Sequence, residues 1–145
     1  AERFNCSVAI HKDDAGMLID PSKNLSIFTG DVVKVDHEVK LLSDGDEIKV
    51  GDLLVRVIHT LGHTPGSVCF LVIHGEEMAL FSGDTLFALS VGRTDLPGGD
   101  FDALEASLKK LEGLPDDLRV LPGHGPETIL GRERQNNPFW PRKER

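Results

Sequence analysis

Short apolar runs dominate the chain between Leu41 and Ser82, and their spacing predicts β-strands. The runs "DEIKV" and "LLVRVI" are joined by Gly51-Asp52, and two-residue turns of Gly and Asp favour hairpins. The runs "SVCFLVI" and "MALFS" form a second pair across "HGEE". Successive residues of "SVCFLVI" are apolar without alternation, so we predict that both faces of this strand are covered.

The first forty residues carry weaker signals. The stretch "SVAI" predicts a short strand, and "HKDDAGMLIDP" predicts a helical turn. That turn should end near Asp20, because the residue before Pro21 is pushed away from the α region. A loop then extends to about Phe28, and "DVVKV" from Asp31 predicts another brief strand.

One amphipathic helix is predicted in "DFDALEASLKKLEGLP". Asp102 and Glu105 have the spacing of a capping box, while Gly113 and Pro115 end the helix. The strand "LRVL" follows, and the order strand, strand, helix, strand favours an α/β or α+β sandwich. The apolar stripe of the helix consists of Phe101, Leu104, Leu108 and Leu111.

Length and charge narrow the class of protein. The 145 residues suit one domain, spanning 1–145, and the net charge of -8 leaves no basic stripe for nucleic acid. No run of eighteen apolar residues occurs, so we expect no membrane span and a cytoplasmic location. Cys6 and Cys69 lack the Cys-x-x-Cys spacing, and Cys69 lies in an apolar run that predicts a buried, unreactive thiol.

Three predicted strands end in a ligand-type side chain after a turn rich in Gly or Pro. His63 follows "LLVRVI", Asp84 follows "MALFSG", and His124 follows "LRVLPG". Loops at the carboxyl ends of strands commonly bind ligands in layered α/β proteins. Two histidines and one aspartate form a set suited to zinc or iron. Taken singly, His63 could be a turn residue and Asp84 a cap, and the metal hypothesis rests on all three together.

The remaining histidines do not join this set. His59 precedes His63 by four residues, but the intervening turn removes any helical same-face argument, and we interpret it as a strand-end residue that supports the site. His11, His37 and His74 are each expected to be solvated.

Four motifs in order carry a family resemblance: "TLGHTPGSVCF", "LFSGDTLF", "VGRTDLPGGDF" and "LPGHGPETILGRERQNNPF". They resemble the metallo-β-lactamase superfamily, specifically its glyoxalase II-like hydrolases. The resemblance implies an α/β fold, the αββα sandwich, with two metal ions at one edge. It also implies a metal-dependent hydrolase of thioesters or related small acyl compounds, with two zinc ions or, alternatively, iron. By position, His63 resembles a ligand of the first metal, Asp84 the shared carboxylate, and His124 a ligand of the second metal.

The family's His-x-His-x-Asp-His motif is not found in the chain. We therefore expect an N-terminally truncated sandwich, the C-terminal two-thirds of the domain, that is inactive or weakly active by itself. An incomplete sandwich has open strand edges, so we also expect self-association into a homo-oligomer. Glutathione thioesters stay one candidate class, because the chain ends near "NPFWPRKER", where glyoxalase II enzymes continue into a basic helical domain.

The sequence leaves two alternative functions open. One is a single-iron sulfur dioxygenase type of oxidoreductase on the same fold, and the other is a self-associating module without catalysis. The motif "GRTDLPGGD" pairs Arg93 with Asp95, which we interpret as a loop scaffold near the site. Serine hydrolase and nucleotide-binding motifs do not occur.

Overall fold

The computed structural model describes residues 1–142, and the last three residues of the basic tail lie outside that range. Its regular elements are ten strands and two α-helices. The strands are β1 (Val8–His11), β2 (Val39–Leu42), β3 (Glu47–Val50), β4 (Leu53–His59), β5 (Val68–His74), β6 (Glu77–Gly83), β7 (Leu86–Phe87), β8 (Ser90–Val91), β9 (Arg119–Pro122) and β10 (Thr128–Ile129). The helices are α1 (Phe101–Lys110) and α2 (Leu130–Asn136), and single 3₁₀ turns occupy Glu2–Phe4, Ala15–Leu18, Ser26–Phe28 and Leu111–Gly113.

A six-stranded sheet in the order β10-β9-β6-β5-β4-β3 forms the centre of the fold. The two predicted hairpins are confirmed, since β3 pairs with β4 and β5 with β6 in antiparallel register. Strand β9 returns beside β6 in parallel register after the crossover through α1. Two smaller pairs, the parallel β1-β2 and the hairpin β7-β8, complete the sheets.

The main core lies on the face of the sheet that carries the helices. Alternate residues of the central strands, including Cys69 and Leu71, are buried there beneath the helical segments. The predicted stripe supplies Leu104 and Leu108 of α1 and Leu111 of the 3₁₀ turn that follows, each at most 1% exposed. The fourth predicted member, Phe101, is the first residue of α1 and is 46% exposed, so it does not join this core.

The opposite face of the sheet is only partly covered, which corrects the prediction of two covered faces. The pair β1-β2 lies over β4 on this side, where the ring of His11 stacks on that of His59 and Val57 is 1% exposed. Phe70 of β5 is half-buried, and Phe81 of β6 is 45% exposed. Two strands are too narrow to shield the face of a six-stranded sheet.

Two local predictions were wrong for identifiable reasons. Residues 31–38 have no regular structure, so "DVVKV" is not a strand, and pairing with β1 begins only at Val39. The cap of α1 is Asp100 and not Asp102, since the Asp100 side chain accepts a hydrogen bond of 2.9 Å from the Ala103 amide. The helical turn predicted before Asp20 is confirmed as the 3₁₀ turn Ala15–Leu18. Among the described residues, no helix combines the length and apolar character needed to cross a bilayer.

We predict that the two thiols differ sharply in reactivity. Cys69 is fully buried, and its burial raises the pKa of the thiol to about 11, whereas Cys6 is exposed. Because the thiolate is the reacting form, iodoacetamide at pH 8 should modify one thiol in the folded chain and two in urea, as counted by mass spectrometry. The Cys6→Ser variant should stay unmodified while folded, and rapid labelling of Cys69 in that variant would contradict the packing described above.

Candidate metal centre

The topology brings His63, Asp84 and His124 to one edge of the sheet. Strand β6 is parallel to β9, and β4 also runs parallel to β6, because each is antiparallel to β5 between them. The carboxyl ends of β4, β6 and β9 therefore meet at the same edge. Each of the three side chains lies in the loop that follows one of these strands.

The ring of His63 is oriented by the backbone of the loop that follows β8. Its Nδ1 lies 2.7 Å from the carbonyl oxygen of Arg93. A carbonyl oxygen can only accept, so Nδ1 donates and the neutral ring presents the lone pair of Nε2 to the site. Histidines that bind metals usually have this arrangement, with the second nitrogen donating to a carbonyl or carboxylate.

Asp84 lies between the two histidines and turns one carboxylate oxygen toward each. Its Oδ1 is 2.7 Å from His124 Nδ1, and its Oδ2 is 3.5 Å from His63 Nε2. In the neutral His63 ring, neither Nε2 nor Oδ2 has a hydrogen to share. In that tautomer both atoms can offer lone pairs to a cation bound between them.

Glycines leave the space that this arrangement needs. A Cβ at Gly123 would lie 2.6 Å from Asp84 Oδ1, and a Cβ at Gly92 would collide with the carbonyl oxygen of Asp84. The Gly123 amide donates to the Gly83 carbonyl at 2.7 Å, which joins the loops that carry Asp84 and His124. A larger residue at Gly123 would displace the carboxylate, and one at Gly92 would displace the backbone of Asp84.

The β7-β8 hairpin lies close to all three candidate ligands. It begins two residues after Asp84 and ends two residues before Arg93, whose carbonyl receives the His63 ring. Phe87 approaches His124 edge to face, with ring centroids 5.9 Å apart. Leu89 at its tip has a φ of +58°, a conformation that costs about 1–2 kcal/mol for a residue with a side chain.

A cleft of about 360 Å³ opens beside His63 and Asp84. Its walls combine apolar side chains from both sheets with a few polar groups, as small-molecule sites do. Its lining residues include Ile10, Leu42, Phe70, Thr64 and Ser67. A second cavity, of about 490 Å³, lies at the opposite edge of the sheet, beside His74 and Glu77 and far from the three ligand-type side chains.

The structure shows that His11 is not solvated, contrary to the sequence-based expectation. His11 is 2% exposed, and burial together with the neighbouring His59 ring lowers the pKa of its imidazole. The expectation failed because the packing of β1-β2 onto β4 has no local sequence signal. His37 and His74 are exposed, as predicted.

His59 is the last residue of β4, which confirms its predicted place at a strand end. Its Nε2 donates to the Pro65 carbonyl at 2.7 Å and so fixes the turn that follows His63. Asp14, which the sequence did not single out, fixes the same turn, since it accepts hydrogen bonds from Thr64 Oγ1 and from the Gly66 amide.

The side chains of His11, Asp13 and His59 each place one ligand atom within 4.8 Å of the others. However, the two rings are stacked, with centroids 4.0 Å apart and planes inclined by 20°. The lone pairs of stacked rings point side by side and do not converge on one ion. In addition, His59 Nε2 is already bonded to Pro65. This cluster is therefore a packing contact.

The predicted ion pair of Arg93 and Asp95 is present as a two-pronged contact, with both N–O distances at 2.7 Å. The Arg93 guanidinium lowers the pKa of the Asp95 carboxyl to about 2. Both side chains are exposed, so the pair has no direct contact with the candidate ligands. It links two residues of the loop whose Arg93 carbonyl contacts His63.

Comparison with known proteins agrees with this architecture. The family model for the metallo-beta-lactamase superfamily matches residues 1–124. An uncharacterized protein from Mycobacterium leprae is 41% identical over 96% of this chain, which spans 66% of that relative's length. A hydroxyacylglutathione hydrolase, GloC, from Haemophilus influenzae is 40% identical over 66% of this chain and 45% of its own length.

Two solved structures extend the likeness to three dimensions. The B3 metallo-beta-lactamase BLEG-1 is 39% identical, with a TM-score of 0.85 over 95% of this chain and 66% of its own. The protein TTHA1623 in a di-iron-bound form is 41% identical, with a TM-score of 0.78 over 95% of this chain and 67% of its own. The chain thus has the mixed α/β fold of these proteins and belongs to the metallo-beta-lactamase superfamily.

Proposed function

We propose that the chain is part of a metal-dependent hydrolase that acts on thioesters or related acyl compounds. In this proposal, His63, Asp84 and His124 are metal ligands, zinc is the resident metal, and iron is the alternative. The chain spans about two thirds of the length of the relatives that match nearly all of it, so the proposal concerns the whole protein to which these residues contribute.

One observation carries the proposal, namely the placement of the Asp84 carboxylate between two histidines. Oδ2 lies 3.5 Å from His63 Nε2, and Oδ1 lies 2.7 Å from His124 Nδ1. Two zinc ligands with bonds of roughly 2.0–2.2 Å in a tetrahedral site lie about 3.4 Å apart, close to the 3.5 Å between His63 Nε2 and Asp84 Oδ2. A carboxylate with one oxygen toward each of two sites suits a pair of ions.

The residues of the chain have separable tasks in this proposal. A bound metal pair would supply a water acidified for attack at neutral pH and a Lewis acid for the acyl carbonyl. The Arg93 carbonyl holds His63 in the tautomer that binds through Nε2, and the glycines keep the carboxylate in place. The adjacent cleft, with Phe70 and Leu42 in its walls, offers an apolar surface to the acyl group.

Support for acyl substrates comes from two sides. The cleft is large enough for a small organic group, and one similar protein is a hydroxyacylglutathione hydrolase. The oxygenase alternative would require one iron in place of a metal pair. The similar protein TTHA1623 has a di-iron-bound form, so both the identity and the number of the metal ions bear on the choice. Metal analysis of the purified protein distinguishes the two reactions.

We predict that the chain binds Co²⁺ or Zn²⁺ through these three side chains. Each of His63→Ala, Asp84→Asn and His124→Ala should weaken binding at least about tenfold in calorimetry, because the alanines remove a direct ligand and the asparagine removes the negative charge of the carboxylate. His74→Ala is the matched control, since His74 is exposed at the opposite edge of the sheet, and it should leave the affinity unchanged. Equal losses in all four variants would contradict the assignment.

We further predict that hydrolysis depends on ligands outside this set. The chain alone should turn over S-lactoylglutathione near background, since three side chains cannot complete two catalytic sites. A fusion that places a His-x-His-x-Asp-His segment before Ala1 should raise both the metal content and the rate of hydrolysis, measured by thiol release.

In that fusion, Asp84→Asn should return hydrolysis to background, while His74→Ala should not. Full activity of the isolated chain would show that other residues complete the site. A fusion that binds metal but oxidises a persulfide and leaves thioesters intact would favour the oxygenase.

A further inference from the structure

The tip of the β7-β8 hairpin is fixed by two buried polar side chains of α2 that the proposed chemistry does not use. Glu133 is 0% exposed and Asn137 is 3% exposed. Glu133 Oε2 accepts a hydrogen bond of 2.8 Å from the Leu89 amide, and Asn137 Nδ2 donates to the Ser90 carbonyl at 3.0 Å. Asn137 also donates to Glu133 Oε2 at 2.9 Å, so the two side chains act as one unit.

The chemistry of Glu133 is unusual for a residue that only fills space. Its second oxygen accepts from the Thr128 hydroxyl at 2.6 Å, so its three hydrogen-bond partners are all neutral donors. Burying a carboxyl group is costly, and a leucine would fill the same volume without that cost. Its hydrogen bonds, and not its packing, therefore account for a glutamate at this position.

Glu133 and Asn137 together hold a strained turn next to the candidate ligands. Leu89 has the left-handed backbone conformation, which persists only where the surroundings impose it. The amide of Leu89 is the group that Glu133 binds. On one side of this turn Phe87 touches His124, and on the other the chain reaches the Arg93 carbonyl that orients His63.

We propose that Glu133 and Asn137 are positioning residues for the metal centre, and this inference rests on the function proposed above. They fix the turn at residues 87–90, and through it they set the ring orientations of His63 and His124. A loosened turn would release the contact of Phe87 with His124 and shift the carbonyl that holds His63. Residues that orient metal ligands in this way typically change metal affinity about 10–100-fold when they are lost.

The test compares two substitutions of Glu133 with a neighbour on the same helix. Glu133→Leu keeps the volume and removes all three hydrogen bonds. Glu133→Gln keeps an acceptor for the Leu89 amide and can donate to Thr128, so it should restore the wild-type behaviour. Arg134→Met is the matched control, because Arg134 bonds the carbonyl groups of Leu111, Glu112 and Leu114, away from the hairpin.

The first readout uses the metal-free chain. In Glu133→Leu we expect faster hydrogen exchange of the Leu89 amide, by about tenfold or more relative to amides of β5, and altered ring ¹⁵N signals of His63 and His124. Glu133→Gln should match the wild type, and Arg134→Met should lower the urea midpoint without moving these signals. Unchanged exchange and ring signals in Glu133→Leu would overturn the proposal, as would equal changes in Arg134→Met.

The second readout is Co²⁺ binding followed by its visible spectrum. Glu133→Leu should weaken affinity about 10–100-fold and change the spectrum, while Glu133→Gln and Arg134→Met stay near the wild type. If the wild type binds no Co²⁺, the proposed function fails, and the metal-free signals still decide the positioning role. If Glu133→Leu does not fold, Asn137→Ala, which cuts the other arm of the unit, takes its place with the same expected directions and the same overturning results.

Discussion

The parallel alignment of β4, β6 and β9 is the constraint on which the rest of the structure depends. It follows from the antiparallel pairing of β5 with both β4 and β6 and from the parallel return of β9 beside β6. Because these strands point the same way, the loops after them share one edge, and ligand-type residues far apart in sequence come within bonding distance. A single reversal in this order would carry Asp84 or His124 to the opposite edge.

At that edge the site is held by the backbone more than by side-chain packing. The His63 ring is fixed by a carbonyl group, the loops of Asp84 and His124 are joined by the Gly123 amide, and Gly92 lets the chain pass against the Asp84 backbone. Each of these contacts requires a defined main-chain position. The segment from Asp84 to Arg93 therefore contributes both a candidate ligand and the carbonyl group that contacts His63. The buried Glu133 carboxyl of α2 binds the strained tip of this segment.

The two faces of the sheet are in different physical situations. The helical face buries Cys69, Leu71 and Leu80 almost completely. The other face has only the narrow β1-β2 pair over it, which leaves Phe81 and parts of Phe70 accessible. The cleft beside His63 lies between the β1-β2 pair and the larger sheet, and side chains from both form its apolar walls. The expectation of self-association follows from this surface and stays a prediction.

The sequence by itself determined the elements with strong local signals. The hairpins at Gly51 and Gly75, the helix through Leu104 and Leu108, and the three Gly- and Pro-rich strand ends were all readable, because turn chemistry and periodicity act over a few residues. The family motifs added the expectation that His63, Asp84 and His124 share a metal centre. Only the tertiary structure decided that His11 is buried against His59, that "DVVKV" is irregular and that Glu133 reaches the hairpin. Those outcomes depend on contacts between residues up to 48 positions apart in sequence, as between His11 and His59, for which no local pattern exists.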